Sequence, residues 1–240
     1  ERDTDVEHIK NIINYCRKIG INNINVDLMY ALPEESIDDL KRDLDFIFSL
    51  DVEHISTYSL IIEEHTKLSI RGVENISEEL DSKMYDVICD EMKNHGYKHY
   101  EISNFCKEGF SSRHNLCYWN NDNYYGFGLG ASSYIDNRRI NNTRSINNYI
   151  DGEYILDEEV LDDYAMIEYE VMLNLRKSDG VSFDKFNLKY GISFDKCFDY
   201  SWLVKNNLLV LDNNNLFIPE EKWYISNEII VKLLEGVKYE

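Results

Sequence analysis

The stretch that decides the fold begins Tyr97-Lys-His-Tyr-Glu-Ile-Ser-Asn-Phe105, continues with Arg113-His-Asn-Leu-Cys-Tyr-Trp119 and ends with Tyr124-Tyr-Gly-Phe-Gly-Leu-Gly-Ala-Ser-Ser133. It opens like a buried strand, then leaves regular structure, and closes on three glycines at every second position. Glycine in such a run lets the backbone approach another group closely. The mixture of His, Tyr, Trp, Asn and Arg suits a flat, partly apolar ligand with polar edges. It equally suits an aromatic-rich loop packed over the end of a sheet.

Upstream of this stretch, helical and strand patterns alternate three times. Capping boxes at Thr4-x-x-Glu7 and Ser36-x-x-Asp39 precede two apolar stripes of helical spacing, and a third such stripe surrounds Met84. Strands are predicted near residues 24–28, 54–61 and 97–102. This order predicts parallel strands with right-handed crossovers. Three strands do not close a barrel, and the chain starts with Glu rather than Met. We therefore expect the second half of a TIM-like βα barrel.

Downstream, the patterns predict a small helical domain with a hairpin. Helices are expected at about 157–176, 182–189, 194–205 and 226–234, and a β-hairpin at 208–219. Helices followed by a hairpin resemble a winged-helix module. The predicted class is therefore α/β, with a partial parallel βα barrel and its glycine-rich loop in residues 1–150. A winged-helix-like domain follows in residues 151–240.

Composition narrows the class of protein. The chain has 240 residues, 43% hydrophobic residues and a net charge of −20. Such an acidic chain repels phosphate backbones, so we expect no nucleic-acid partner. The five scattered cysteines fit reduced thiols in the cytoplasm rather than disulfides or a metal cluster. No apolar run is long enough for a membrane span, and no secretory signal is visible.

Four side chains are candidates for chemistry. Asp27 lies near a predicted strand end and faces the barrel interior, where a carboxylate needs a hydroxyl, an amine or a structural partner. It could equally pin a loop, and for Glu101 a structural role is favoured. His114-x-x-Cys117 has metal-like spacing, but no second pair lies nearby, so a zinc site is disfavoured. His114 could instead bind a haem iron, or fix its loop by hydrogen bonds.

Several segments, in this order, resemble motifs of the oxygen-independent coproporphyrinogen III oxidase-like radical SAM proteins, and specifically the HemW haem-chaperone branch. They are Asn25-Val-Asp-Leu-Met-Tyr-Ala-Leu-Pro33, His54-Ile-Ser-Thr-Tyr-Ser-Leu60, Tyr100-Glu-Ile-Ser-Asn-Phe105, Arg113-His-Asn-Leu-Cys-Tyr-Trp119, and Met172-Leu-Asn-Leu-Arg176 with Gly180-Val181.

The resemblance implies an intact protein that holds a 4Fe-4S cluster and S-adenosylmethionine, binds haem and delivers it to acceptor proteins. One alternative is oxidative decarboxylation of coproporphyrinogen III in porphyrin biosynthesis, and another is a cofactor-free protein-interaction domain. Whether the protein is an enzyme stays open. The cluster motif Cys-x3-Cys-x2-Cys is absent, so this chain provides no 4Fe-4S ligands and is expected to be inactive alone.

The resemblance also assigns residues. It implies S-adenosylmethionine contacts at Asp27, Arg2 and Ile61. For haem, the matching loop offers Arg113, Tyr118 and Trp119, with His114 or Cys117 as the iron ligand. The sequence departs from the family at two positions: Ala31 replaces a glycine, and Ser132 replaces a histidine.

Overall fold

The computed structural model describes residues 5–238, and the chain divides into two compact units between Ser111 and Ser112. Both units mix helices and strands, so the predicted α/β content is confirmed. The elements of the first unit are α1 (Val6–Lys18), β1 (Asn25–Tyr30), α2 (Ile37–Ser49), β2 (His54–Ser59), α3 (Lys67–Ile70), α4 (Glu78–Asn94), β3 (Lys98–Glu101) and β4 (Asn104–Cys106).

The sheet of the first unit has four strands in the order β1-β2-β4-β3. β1 and β2 are parallel as predicted, but β4 lies between β2 and β3 and is antiparallel to both. The three predicted strands β1, β2 and β3 therefore run in the same direction, as expected, but an unpredicted antiparallel strand separates β2 from β3. The reason is a tight turn after β3, where Glu101 accepts hydrogen bonds from the Ser103 amide and the Asn104 side chain. The chain turns back at this point, and β4 takes the place beside β2.

One face of this sheet is covered by helices. Apolar side chains of α2 and α4, among them Leu44 and Ile88, pack with Leu28, Ile55 and Phe105 in one buried cluster. Burying each such side chain stabilises the unit by about 1.5–3 kcal/mol. The predicted capping box of α2 is present at Ser36 and Asp39. Thr4 lies outside the described residues, and Asp5 caps α1.

Residues 112–238 of the second unit form two separate sheets and several short helices. Its elements are α5 (Arg113–Trp119), β5 (Ser132–Ile135), β6 (Arg138–Asn142), α6 (Ile146–Ile150), β7 (Ile155–Val160), α7 (Asp163–Asn174), β8 (Val181–Ser182), α8 (Phe183–Tyr190), α9 (Phe194–Cys197), α10 (Ser201–Lys205), β9 (Val210–Asp212), β10 (Asn215–Phe217), a 3-10 helix (Glu220–Ile225) and α11 (Ser226–Leu234).

The first of these sheets differs from expectation. β5, β6 and β7 form an antiparallel sheet, whereas a polar connection and a helix starting at Asp157 were predicted. The helix α7 begins only at Asp163, because the Asp162 side chain caps it. The compact units also differ from the predicted division at residue 150. Gly152 lies in the connection between β6 and β7, so the pairing of those strands holds both sides of it in one unit.

The second sheet agrees better with the sequence. β9 and β10 form the predicted hairpin, with Asn213 and Asn214 in the left-handed conformation that such tight turns require. β8 adds a third strand beside β10, which the sequence did not reveal. The last helix has the predicted bounds, whereas the helix expected at 194–205 is divided into α9 and α10.

Candidate functional site

Asp27 lies on β1, on the sheet face opposite the helices. Along this strand Leu28 and Tyr30 are buried, whereas Asn25, Asp27 and Met29 are exposed, as the alternation of a strand dictates. The Asn25 side-chain amide donates a hydrogen bond of 2.7 Å to Asp27 Oδ1. No residue between 5 and 238 donates to Asp27 Oδ2. The strand therefore presents one carboxylate oxygen that is held and one that is free.

His54 stands opposite Asn25 in the parallel pairing of β1 and β2. Its ring lies 2.6 Å from Asn25 Oδ1 through Nδ1 and 2.7 Å from the Tyr100 hydroxyl through Nε2. Burial lowers the pKa of His54, and the nearby Asp27 carboxylate only partly opposes this shift. His54 is therefore a neutral, buried partner of the polar face that carries Asp27.

The other predicted contacts of the first unit are less well defined. Ile61 follows the end of β2 by two positions and is 72% exposed, so its side chain is open to a ligand. Arg2 lies outside the described residues. Glu101, the last residue of β3, is fully buried, and its bonds to the following turn support the structural role that the sequence favoured.

In the second unit, α5 brings aromatic side chains together. His114 and Tyr118 are one helical turn apart, and their rings meet edge to face with centroids 4.9 Å apart. Tyr118 in turn meets Tyr124 in the same geometry at 4.6 Å. His114 is exposed, so its ring remains accessible to an external ligand.

The remaining residues of α5 differ in accessibility. Arg113 is exposed, whereas Trp119 is half-buried and lies 5.8 Å from the Arg176 guanidinium. Burial raises the pKa of the Cys117 thiol, and Asp122 raises it further. Both effects disfavour the thiolate, which is the form that binds metals, and so favour His114 over Cys117 as a ligand. Among residues 5–238 no group of three or more His, Cys, Asp or Glu side chains could hold a metal ion.

Hydrogen bonds between side chains and its backbone atoms hold the glycine-rich segment after α5 in place. Asn142 donates to the carbonyl oxygens of Gly126 and Gly128, at 3.3 and 2.9 Å, and the Tyr149 hydroxyl accepts from the Gly128 amide. A Cβ at position 126 would lie 2.2 Å from the Ser132 carbonyl oxygen, so only glycine fits there. Ser132 itself, which replaces the family's histidine, donates its hydroxyl hydrogen to Asn141.

The side chains that alternate with these glycines, from Tyr125 onward, point into solvent. Tyr125 is 68% exposed, Phe127 87% and Leu129 46%, and the first two rings stack with centroids 6.4 Å apart. We call Tyr125, Phe127 and Leu129 the aromatic loop. The sequence places Phe127 in this stretch but does not reveal its exposure. It also assigned no role to Asn25, His54 or Tyr100, although each lies in a segment that matched the family.

Comparison with known proteins first gives the class. Residues 161–225 match the family described as the HemN C-terminal domain. The fold is shared with a solved structure described as coproporphyrinogen III oxidase (HemN) from Escherichia coli, a radical SAM enzyme. That likeness has a TM-score of 0.78 at 15% identity and covers 96% of this chain and 59% of that chain. The chain thus has the same fold as the matching three fifths of that enzyme.

The particular relatives are proteins named heme chaperone HemW. The chain is 35% identical to the one from Lactococcus lactis over 231 residues, covering 92% of this chain and 61% of the relative. It is 37% identical to that of Bacillus subtilis over 225 residues, covering 89% and 59%. The chain thus spans about three fifths of the length of these curated relatives. The resemblance to the HemW branch of the coproporphyrinogen III oxidase-like radical SAM proteins is confirmed.

Within the described part of the chain, no helix combines the length and the apolar character needed to cross a bilayer.

Proposed function

We propose that this chain is the C-terminal part of a HemW-type haem chaperone, which binds haem and delivers it to acceptor proteins. The observation that carries the proposal is the 35–37% identity to heme chaperones named HemW over about nine tenths of the chain. The likeness to coproporphyrinogen III oxidase, at 15% identity, concerns the fold alone. In this proposal the four-stranded sheet is part of a βα barrel, and the β8-β10-β9 sheet with its helices is a winged-helix-like domain.

Haem is proposed to bind at α5 and the aromatic loop. A haem needs an apolar surface, cations for its propionates and an axial ligand. The exposed rings of Tyr118 and Phe127 provide apolar surface, Arg113 is an exposed cation, and His114 offers an accessible imidazole. Trp119 is the least suited of the proposed haem contacts, because its ring already lies near Arg176.

Haem titration followed by the Soret band tests this assignment. We expect His114→Ala to shift the spectrum and weaken binding, because it removes the axial ligand. Cys117→Ala should leave both unchanged, since the raised pKa of its thiol makes the iron-binding thiolate harder to form than the neutral imidazole of His114. His8→Ala, which removes an exposed histidine of α1, is the matched control. If His114→Ala keeps the wild-type spectrum and affinity, His114 only fixes its loop.

S-adenosylmethionine is proposed to contact Asp27, and more weakly Ile61 and Arg2. The supporting observation is the free Oδ2 of Asp27 on an exposed sheet face, which fits a hydroxyl or amine donor. The 4Fe-4S cluster would be held by ligands that this chain does not provide, because the chain lacks the cluster motif. When bound, the cluster supplies the electron that radical SAM chemistry requires.

Calorimetry on the intact protein tests the Asp27 contact. Asp27→Asn keeps the shape of the side chain but removes its charge, so the loss of a charge-assisted hydrogen bond should weaken binding by about 1.5–3 kcal/mol. Asp38→Asn, an exposed carboxylate at the start of α2, is the control. Equal affinities for wild type and Asp27→Asn would return Asp27 to a structural role.

A turnover assay separates the chaperone from the decarboxylase. The chaperone should bind haem and transfer it to an acceptor without consuming coproporphyrinogen III. Stoichiometric decarboxylation of coproporphyrinogen III by the intact protein would instead establish the enzyme. A protein that binds neither haem nor S-adenosylmethionine would be an interaction domain.

A further inference from the structure

Three side chains without an assigned role meet beside Asp27. Asn25, His54 and Tyr100 come from three segments that are distant in sequence, and they form one continuous chain of hydrogen bonds. We propose that Tyr100, His54 and Asn25 are positioning residues whose relay fixes the Asp27 carboxylate and reserves its Oδ2 for a ligand's hydroxyl or ammonium group. This inference rests on the proposed function in one respect, namely that Asp27 contacts S-adenosylmethionine.

The direction of the relay follows from its charged end. A carboxylate only accepts hydrogen bonds, so the Asn25 amide nitrogen donates to Asp27 and its Oδ1 must accept. The donors to that oxygen are His54 Nδ1, at 2.6 Å, and the Ser56 hydroxyl, at 3.1 Å. A neutral imidazole that donates through Nδ1 accepts through Nε2. The Tyr100 hydroxyl, 2.7 Å away, is therefore the donor to His54.

The surroundings hold the relay in this one arrangement. His54 is 5% exposed and Tyr100 4%, so neither has bulk water as an alternative partner. The parallel register that sets Asn25 opposite His54 keeps the two side chains adjacent. Burial also disfavours the imidazolium, which would put a second donor at Nε2 against the Tyr100 hydroxyl. Asp27 itself is exposed, so the buried part of the relay ends at an accessible carboxylate.

This arrangement has a consequence for binding. A carboxylate whose rotamer is fixed before the ligand arrives loses little conformational freedom on binding. Because Oδ1 already accepts from Asn25, the ligand's donor must approach Oδ2. A network that only stabilised the sheet would have no such effect on the ligand, and this difference can be measured.

The test combines calorimetry with S-adenosylmethionine and nitrogen NMR of His54, both in the intact protein. Tyr100→Phe removes the first donor of the relay without changing the ring. Its matched control is Tyr97→Phe, because Tyr97 is equally buried and donates one hydrogen bond of 2.6 Å to the Val52 carbonyl oxygen. Each variant removes a buried hydroxyl that donates to a partner named above, but only Tyr100 belongs to the relay.

We expect wild-type His54 to be neutral and protonated at Nδ1. Tyr100→Phe should give a mixture of tautomers and weaken S-adenosylmethionine binding about fivefold, the effect of one hydrogen bond. Tyr97→Phe should change neither. An Nε2-protonated or charged His54 in the wild type would overturn the relay, as would equal affinities for Tyr100→Phe and Tyr97→Phe.

Failure of the proposed function gives a different pattern. If Asp27→Asn binds S-adenosylmethionine as the wild type does, Asp27 is not the contact, and the role of the relay in binding falls with it. If Asp27→Asn loses affinity while Tyr100→Phe does not, the contact stands and only the relay is refuted.

Discussion

The polar face around Asp27 and the aromatic loop are organised in opposite ways. Around Asp27 the side chains bond to one another, and one carboxylate oxygen remains free. In the aromatic loop the backbone is bonded, by Asn142 and Tyr149, and the side chains are free. The first arrangement presents a directed acceptor to a small polar ligand, whereas the second presents apolar area to a flat one. Each candidate site is therefore rigid in the part that does not touch its proposed ligand.

The largest expected effect tests the rigidity of the aromatic loop. Gly126→Ala would place a methyl group 2.2 Å from the Ser132 carbonyl oxygen, so the backbone must move. We expect the free energy of unfolding, measured with urea, to fall by about 3 kcal/mol. Gly128→Ala is the control, because no atom lies within 4 Å and only its positive φ of 101° is strained. That variant should lose about 1–2 kcal/mol. If both variants lost the same free energy of unfolding, the backbone at position 126 would be able to move away from the added methyl group.

The next prediction concerns Phe127 of the aromatic loop, whose exposed ring is proposed to contact haem. Phe127 is 87% exposed, so Phe127→Ala should change the free energy of unfolding by less than about 0.5 kcal/mol. If haem covers this ring, its affinity should fall by about 2 kcal/mol, the transfer free energy of a buried Phe side chain. Leu188→Ala, at an 89% exposed position of α8, should change neither quantity. Unchanged haem affinity in Phe127→Ala would remove the loop from the haem site.

Acid should destabilise the first unit through its buried histidines. Burial lowers the pKa of His99 from 6.5 to about 4, and its ring stacks on Phe105 with centroids 4.0 Å apart. Because the unfolded chain binds the proton more tightly, this contribution is fully present above about pH 6.5 and decreases as the pH falls toward 4. Between pH 7 and 5 the loss from His99 should be about 2 kcal/mol.

Urea unfolding at several pH values measures this effect. His99→Phe keeps an aromatic ring on Phe105 but removes the titrating group, so its stability should fall less over the same range. His54 has a lowered pKa for the same reason and adds to the slope in both proteins. Identical pH dependence in wild type and His99→Phe would show that His99 is solvated in the folded state.

The smallest effect concerns a position where alanine stands in a conformation that glycine prefers. Ala31 is buried and has a φ of 61°, which explains why the resembling family has glycine there. Ala31→Gly should raise the free energy of unfolding by up to about 1 kcal/mol, the relieved strain minus the entropy that glycine adds to the unfolded chain. Ala131→Gly, where φ is not positive, should lower it. A loss of stability in Ala31→Gly would mean that its methyl group packs better than the strain costs.

Local patterns were sufficient for several elements. The helix predicted at 226–234 has the bounds of α11, and the asparagines between β9 and β10 belong to a predicted hairpin that the structure confirms. The segments around Asp27 and His114 also carried the resemblance, which the curated relatives confirm. Such signals lie within one helix turn or one tight turn, so a single sequence contains them.

Strand order and the bonding of side chains depended on the tertiary structure. The three residues of β4 are too few to show periodicity, and their place between β2 and β3 depends on partners about fifty residues away. β7 carries exposed side chains throughout, so it lacks the alternation that identifies a strand. The relay joins Asn25, His54 and Tyr100 only because parallel pairing and a turn bring them together. Periodicity records which face of an element is buried, whereas long-range pairing decides which polar groups meet there.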